Sequence, residues 1–112
     1  MIEKRPWGSY KVLSKGNLYK LKSIIVNSNS RISYQYHVHR SENWTIIRGN
    51  AEVTIDDVKH NLSPGESITI PKGARHRIKN IGNSKLEFIE VQYGDYLEED
   101  DIVRIQDDYN RK

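Results

Sequence analysis

The stretch Gly65-Glu66-Ser67-Ile68-Thr69-Ile70-Pro71-Lys72-Gly73-Ala74-Arg75-His76-Arg77-Ile78-Lys79-Asn80 decides the fold. Glycine opens a turn after Pro64, an apolar alternation follows as a strand, Pro71 and Gly73 force a second turn, and His76 starts the returning strand. A lone histidine says little. Its fixed spacing from two turn-forming residues is what singles out His76.

The same punctuation extends in both directions. Ile, Val, Tyr and Thr total 31 residues, whereas the strong helix former Ala occurs only at Ala51 and Ala74, so the composition favours strands. Candidate strands are Ser9–Ser14, Tyr19–Val26, Arg31–His37, Trp44–Ile47, Glu52–Ile55, Ser67–Ile70, His76–Lys79 and Leu86–Val91. Between them lie Gly16-Asn17, Asn27-Ser28-Asn29, Asp56-Asp57, Pro64-Gly65 and Gly82-Asn83. Short strands at this spacing predict an all-β sandwich or barrel. The tail Tyr96–Asn110 reads as a short strand or helical turn that packs Leu97, Ile102, Val103 and Ile105 onto it. With 112 residues of even composition and no internal repeat, residues 1–112 are expected to form a single domain with an ordinary core.

Composition removes several function classes. Without cysteine there are no disulfides and no thiolate metal sites, and the start Met1-Ile2-Glu3-Lys4-Arg5-Pro6-Trp7 lacks the apolar core of a signal peptide. The longest aliphatic run, Ile24-Ile25-Val26, is far too short to span a membrane, so a soluble cytoplasmic protein is expected. The net charge of +3 is unevenly spread: residues 1–94 carry 15 Lys/Arg against 8 Asp/Glu, and residues 95–112 carry 3 against 7. A positive body suits an anionic small molecule such as a sugar phosphate, although a merely solvated surface would have the same composition. Nucleic acid fits poorly, because the basic residues are scattered singly along strands with no recognition helix.

The opening stretch fits G-x5-P-x-G-x2-H-x3-N, the second signature motif of cupins. That resemblance implies a cupin double-stranded β-helix, or jelly-roll barrel. The first cupin motif, G-x5-H-x-H-x3,4-E-x6-G, must lie in Asn29–Gly49, where two registers compete. Counting back from Glu42 and Gly49 with the longer spacer places the N-terminal ligand positions at Gln35 and His37 and puts Asn29 in the glycine position. Asn tolerates the left-handed backbone conformation, which favours this register. The other uses His37-Val38-His39 with Glu42 and puts Arg31 in the glycine position. In a strand, residues two apart share a face, so Gln35, His37 and His39 are expected to project together, with Glu42 and His76 approaching from neighbouring strands. Imidazole nitrogens with carboxylate and amide oxygens suit a divalent ion, Zn²⁺ foremost, with coordination left open for water or substrate. The same residues could instead line a hydrated barrel mouth. His60, after the Asp56-Asp57 turn, reads as a surface residue.

Four further segments narrow the resemblance. Arg5-Pro6-Trp7-Gly8-Ser9-Tyr10, Gln35-Tyr36-His37-Val38-His39-Arg40-Ser41-Glu42-Asn43-Trp44, Ile89-Glu90-Val91-Gln92-Tyr93-Gly94 and Asp100-Asp101-Ile102-Val103-Arg104 through Asp108-Tyr109 resemble the type II mannose-6-phosphate isomerase domain. In that family the domain usually follows a larger mannose-1-phosphate guanylyltransferase part. The chain departs from the family at Val38 and Asn43, where histidine is common; strand parity points both away from the proposed site.

The resemblance implies interconversion of mannose 6-phosphate and fructose 6-phosphate, a proton transfer between C1 and C2 through a cis-enediol. Such a reaction needs a divalent cation, a proton carrier and a cationic phosphate anchor. The metal set is Gln35, His37, Glu42 and His76. Glu90 and His39 are candidate proton carriers. Arg77 is the preferred phosphate anchor, with Lys72, Arg75 and Arg104 in reserve and Gln92 as a further substrate contact. A sugar- or sugar-nucleotide-binding cupin without catalysis, and a small metal cupin such as a dioxygenase, are the competing readings. A homodimer through edge strands or the Trp7 and Tyr10 segment is expected.

Overall fold

The computed structural model describes residues 1–111, in which every regular element is a strand. In chain order these are β1 Ile2–Arg5, β2 Gly8–Lys15, β3 Tyr19–Val26, β4 Tyr34–Tyr36, β5 Arg40–Arg48 and β6 Ala51–Ile55, then β7 Val58–Leu62, β8 Ser67–Ile70, β9 His76–Asn80, β10 Leu86–Gly94 and β11 Val103–Gln106. They form two sheets, β1-β2-β3-β10-β5-β8 and β11-β4-β9-β6-β7, with antiparallel neighbours throughout. The core lies between them, with Trp44, Ile46, Val53, Ile78, Leu86 and Phe88 at most 1% exposed.

The opening stretch folds as its spacing predicts, with β8 ending at Ile70 and β9 starting at His76. Gly73 has φ 82, a left-handed conformation that costs a residue with a Cβ about 1 kcal/mol. Its amide donates to the His37 carbonyl at 2.9 Å, so the turn itself brings His76 beside His37. Asn29 has φ 59, the backbone that the Gln35-His37-Glu42 register requires of it.

Inward residues change character at one level of the six-stranded sheet. On β10 the buried side chains run Leu86, Phe88, Glu90, Gln92; on β3, antiparallel to it, they run Val26, Ile24, Lys22, Lys20. On β5 they run Ile46, Trp44, Glu42, Arg40. Period-two alternation thus packs one half of the interior with hydrocarbon and lines the other with charge. Burying Phe88 and Ile46 contributes about 2 to 3 kcal/mol each, which offsets part of the cost of the polar half.

Several expectations need correction. The predicted strand Arg31–His37 is paired only over Tyr34–Tyr36, with an isolated bridge from Arg31 to Lys79. β1 and β7 were not anticipated, since Ile2–Arg5 and Val58–Leu62 are polar and exposed edge segments with no strong alternation. In the tail, Leu97 packs inward as expected, but Val103 and Ile105 are exposed, so β11 has the opposite parity to the one predicted. Trp7 and Tyr10 are each 8% exposed and pack within the chain's own core, while Ile2, Val12 and Leu13 of the same segment are exposed. His60 is exposed on β7, as read.

Candidate metal centre

Three side chains meet at the boundary between the two halves. His37 follows β4, Glu42 lies on β5 and His76 opens β9, and one ligand atom from each lies within 4.8 Å of the others. Glu42 and His76 are each 1% exposed and His37 is 3%. The Cα register pairs Gln35 with His76 across β4 and β9, which puts Gln35 on the same face beside the cluster.

Both imidazoles are oriented by backbone carbonyls. His37 Nδ1 donates to Asp101 O at 2.6 Å, and His76 Nδ1 donates to Ala74 O at 2.8 Å. With the proton on Nδ1, each Nε2 carries a bare lone pair that faces Glu42, at 3.3 Å from His37 and 3.7 Å from His76. Burial foremost lowers the pKa of both histidines to about 4, aided at His37 by the Arg40 cation, so both are neutral at pH 7. These contacts are therefore not ion pairs at neutral pH. His76 Nε2 has no hydrogen-bond partner among the described residues. A buried, unpartnered imidazole nitrogen facing a carboxylate and a second neutral imidazole is a donor set suited to a divalent transition ion.

Glu42 is also held by cation and indole. Arg40 Nε donates to Glu42 Oε2 at 2.8 Å, Arg40 Nη2 lies 3.3 Å from His37 Nε2, and Trp44 Nε1 donates to Glu42 Oε1 at 3.2 Å. The same indole N–H donates to Glu90 Oε2 at 3.0 Å, and Gln92 Nε2 donates to Glu90 Oε1 at 2.7 Å. Glu90 is 5% exposed. Burial first, then the Glu42 charge, pushes its pKa up to about 7, so it both holds and releases a proton near neutrality.

The C-terminal tail closes the site. The Asp101 carboxylate accepts the Val38 and His39 amides at 2.8 and 2.9 Å, and these bonds hold its pKa below the usual carboxylate range despite burial. Lys22 Nζ lies 2.8 Å from Glu99, and Lys20 Nζ donates to Leu97 O at 2.7 Å.

The histidines make the metal-free protein acid-sensitive. Their folded pKa values of about 4 lie below the unfolded value of 6.5, so the stability they contribute is complete above about 6.5 and is lost as pH falls toward 4. Denaturant unfolding in chelator, repeated from pH 7 to 4, should show a loss on the order of 3 kcal/mol per histidine, partly offset by Glu90. A flat profile across that window would contradict the burial of neutral imidazoles.

Gln35, His37, Glu90 and Gln92 line one cavity together with Arg40; Glu42 and His76 are not among its lining residues but have ligand atoms within 4.8 Å of that of His37. His39, Lys72 and Arg77 are not among its lining residues. The chain bends after β4 because the Val38 and His39 amides both turn to Asp101, so alternation fails there. His39 is consequently exposed, with its ring edge against Tyr96. Lys72 is exposed on the Pro71–Gly73 turn. Arg77 is buried, but it donates to Ile32 O, Gln106 Oε1 and Gln106 O, which ties the tail to β9. Of the reserve anchors, Arg75 is exposed and Arg104 lines the cavity. The departures Val38 and Asn43 do point away: Val38 is 50% exposed, and Asn43 donates outside the site to Thr69 Oγ1.

Sequence reasoning missed Arg5, Lys22, Arg40, Glu99 and Arg111, all of which line the cavity. For Lys22 a signal existed, since it shares strand parity with Ile24 and Val26. Leu21 and Ile25 offered an equally apolar face of opposite parity, so the pattern did not discriminate.

Two antiparallel sheets enclosing a His-Glu-His cluster define a cupin. Solved structures share this fold: the capsular polysaccharide assembling protein CapF of Staphylococcus aureus aligns with a TM-score of 0.83 at 14% identity, covering 95% of this chain and 34% of that one. Oxalate decarboxylase of Lactobacillus farciminis aligns with a TM-score of 0.80 at 17% identity, covering 94% and 33%. Residues 2–107 match the family model described as mannose-6-phosphate isomerase C-terminal, and the chain belongs to that family. Relatives include the mannose-1-phosphate guanylyltransferase of Escherichia coli (strain K12), 47% identical over 107 residues, and the alginate biosynthesis protein AlgA of Pseudomonas aeruginosa, 46% identical over 107 residues. Each alignment covers 96% of this chain but 22% of the relative, so the chain spans less than a quarter of their length. Among the described residues no helix is long and apolar enough to cross a membrane.

Proposed function

We propose that this chain is a metal-dependent isomerase that interconverts mannose 6-phosphate and fructose 6-phosphate. The observation that carries the reading is a buried pair of imidazole nitrogens around Glu42, that of His76 without a hydrogen-bond partner among the described residues, beside a carboxylic acid poised near neutrality, in a chain of this family. His37, Glu42 and His76, with Gln35 alongside, would hold the ion, Zn²⁺ or a similar divalent transition metal. When bound, such an ion supplies Lewis acidity to the carbonyl end of the sugar. Glu90 is the proton carrier: its raised pKa lets it take a proton from one carbon and return it to the next. Trp44 fixes that carboxylate through its indole N–H, and Gln92 holds the other oxygen. In this reading Lys72 and Arg77 make no substrate contact, and His39 stays at the rim. A phosphorylated substrate would suit a cytoplasmic protein. A homodimer through edge strands would pair β1 or β8 of one sheet, or β7 or β11 of the other.

A coupled assay on mannose 6-phosphate tests the reading. Turnover should vanish on chelation and return with one equivalent of divalent metal per chain. Metal-loaded protein that binds the sugar phosphate and never converts it would leave a binding protein instead.

A further inference from the structure

Three consecutive residues beside the metal centre are held by a single residue of the C-terminal tail. Asp101, 6% exposed, accepts the His37 Nδ1–H on its main-chain carbonyl at 2.6 Å. Its carboxylate accepts the Val38 amide at 2.8 Å and the His39 amide at 2.9 Å. β4 ends at Tyr36 and β5 begins at Arg40, so residues 37–39 belong to neither strand and no strand ladder fixes their direction. Val38 and His39 present exposed side chains, so packing adds little, and the bend depends on its hydrogen bonds. On the other side the His37 carbonyl accepts the Gly73 amide at 2.9 Å, so the ligand sits between the β8–β9 turn and the tail.

Asp101 reaches this place from a tail with anchors of its own. Gly94 opens the tail against the bend: a Cβ there would lie 2.4 Å from the His39 carbonyl oxygen, so the close approach requires glycine. Lys20 Nζ donates to Leu97 O at 2.7 Å, Lys22 Nζ lies 2.8 Å from Glu99, and the Asp101 amide donates to Glu98 O at 3.2 Å. Both lysines are buried on the inner face of β3. The carboxylate is thereby brought to the bend as a buried acceptor matched to two donors.

We propose that the Asp101 carboxylate is a positioning residue, which sets the bend after His37 and with it the direction in which His37 Nε2 faces Glu42. His76 lacks this dependence, because its Nδ1 donates to Ala74 O, two residues away. The clamp rests on these hydrogen bonds alone, whereas its effect on metal affinity rests on the metal-dependent reading above. Partners that orient a metal-binding imidazole govern affinity by about 10- to 100-fold.

Asp101→Asn tests the proposal, because it leaves the main-chain carbonyl for His37 Nδ1 and alters only the carboxylate, turning one amide donor toward an N–H that needs an acceptor. In the metal-free parent, nitrogen-resolved NMR should show slow proton exchange at His37 Nδ1 and at the Val38 and His39 amides, exposed though those two residues are. The variant should lose all three signals and keep that of His76 Nδ1. Co²⁺ titration followed by visible absorption should show affinity lowered about 10- to 100-fold, with the bands displaced. Gln106→Ala serves as control: it removes an exposed acceptor of Arg77 and loosens the tail beyond the clamp, and it should change neither the NMR signals nor the Co²⁺ affinity. Fast exchange at the three parental sites overturns the clamp, and that measurement decides the matter should the variant fail to fold. Parental His37 signal and Co²⁺ affinity in folded Asp101→Asn, or equal losses in Gln106→Ala, overturn it as well. A parent that binds no Co²⁺ rejects the metal reading, and the clamp then stands or falls on the imidazole and amide signals.

Discussion

His76→Ala protein should lose at least a hundredfold in divalent-metal affinity and all metal-dependent turnover while keeping its sheets. Four-ligand zinc peptides gain about 10 to 16 kcal/mol from the ion, so one strong donor is worth roughly 3 kcal/mol, or two to three orders of magnitude. His76 is a good residue to remove because its Nε2 makes no hydrogen bond among the described residues, so the change orphans no nitrogen partner. What it does forfeit in the metal-free fold is one bond to Ala74 O, a tilted ring contact with His37 and an edge contact with Trp44. Equilibrium dialysis with metal analysis measures the effect, and circular dichroism checks the fold. Parent-like affinity in a folded variant would remove His76 from the metal set.

Glu90→Gln should cut kcat by about 10² to 10⁴ with metal stoichiometry unchanged. The amide retains an acceptor for the Trp44 indole but cannot carry a proton. The same substitution should stabilise the protein above neutral pH. The folded pKa of about 7 lies above the ordinary 4.5, so the carboxyl's favourable contribution is complete below about 4.5 and is lost as pH rises through 7. Removing that group recovers on the order of 3 kcal/mol at alkaline pH, a rise of several degrees or more in Tm. Thermal melts at pH 8 and a kcat measurement read the two effects separately. A variant with parental kcat would leave Glu90 a structural acid.

The fold was legible because turn chemistry is local: Gly65, Pro71 and Gly73 need only their own backbone conformations to bend the chain. The ligand cluster was legible for the same reason, since Asn29 marked the register and Glu42 and Gly49 kept its spacing. What stayed hidden depends on contacts distant in sequence. His39 leaves the site because Asp101, 62 residues later, captures its amide. Arg77 is spent on Gln106, 29 residues later, although its place after His76 had suggested an anion anchor. Lys22 and Arg111 could be placed only by knowing which face each strand buries and where the tail returns.

The return of the tail sets an order of assembly. His37 takes its orientation from the carbonyl of Asp101, and the bend that follows it is held by that residue's carboxylate. A ribosome that has delivered both histidines and Glu42 has therefore not yet delivered the residue that aims the first of them. The nascent chain can form most of both sheets while its ligands remain unaligned, and the site matures only once Asp101 has emerged and docked. Metal affinity should therefore depend on the docking of the segment around Asp101 as well as on the ligands themselves.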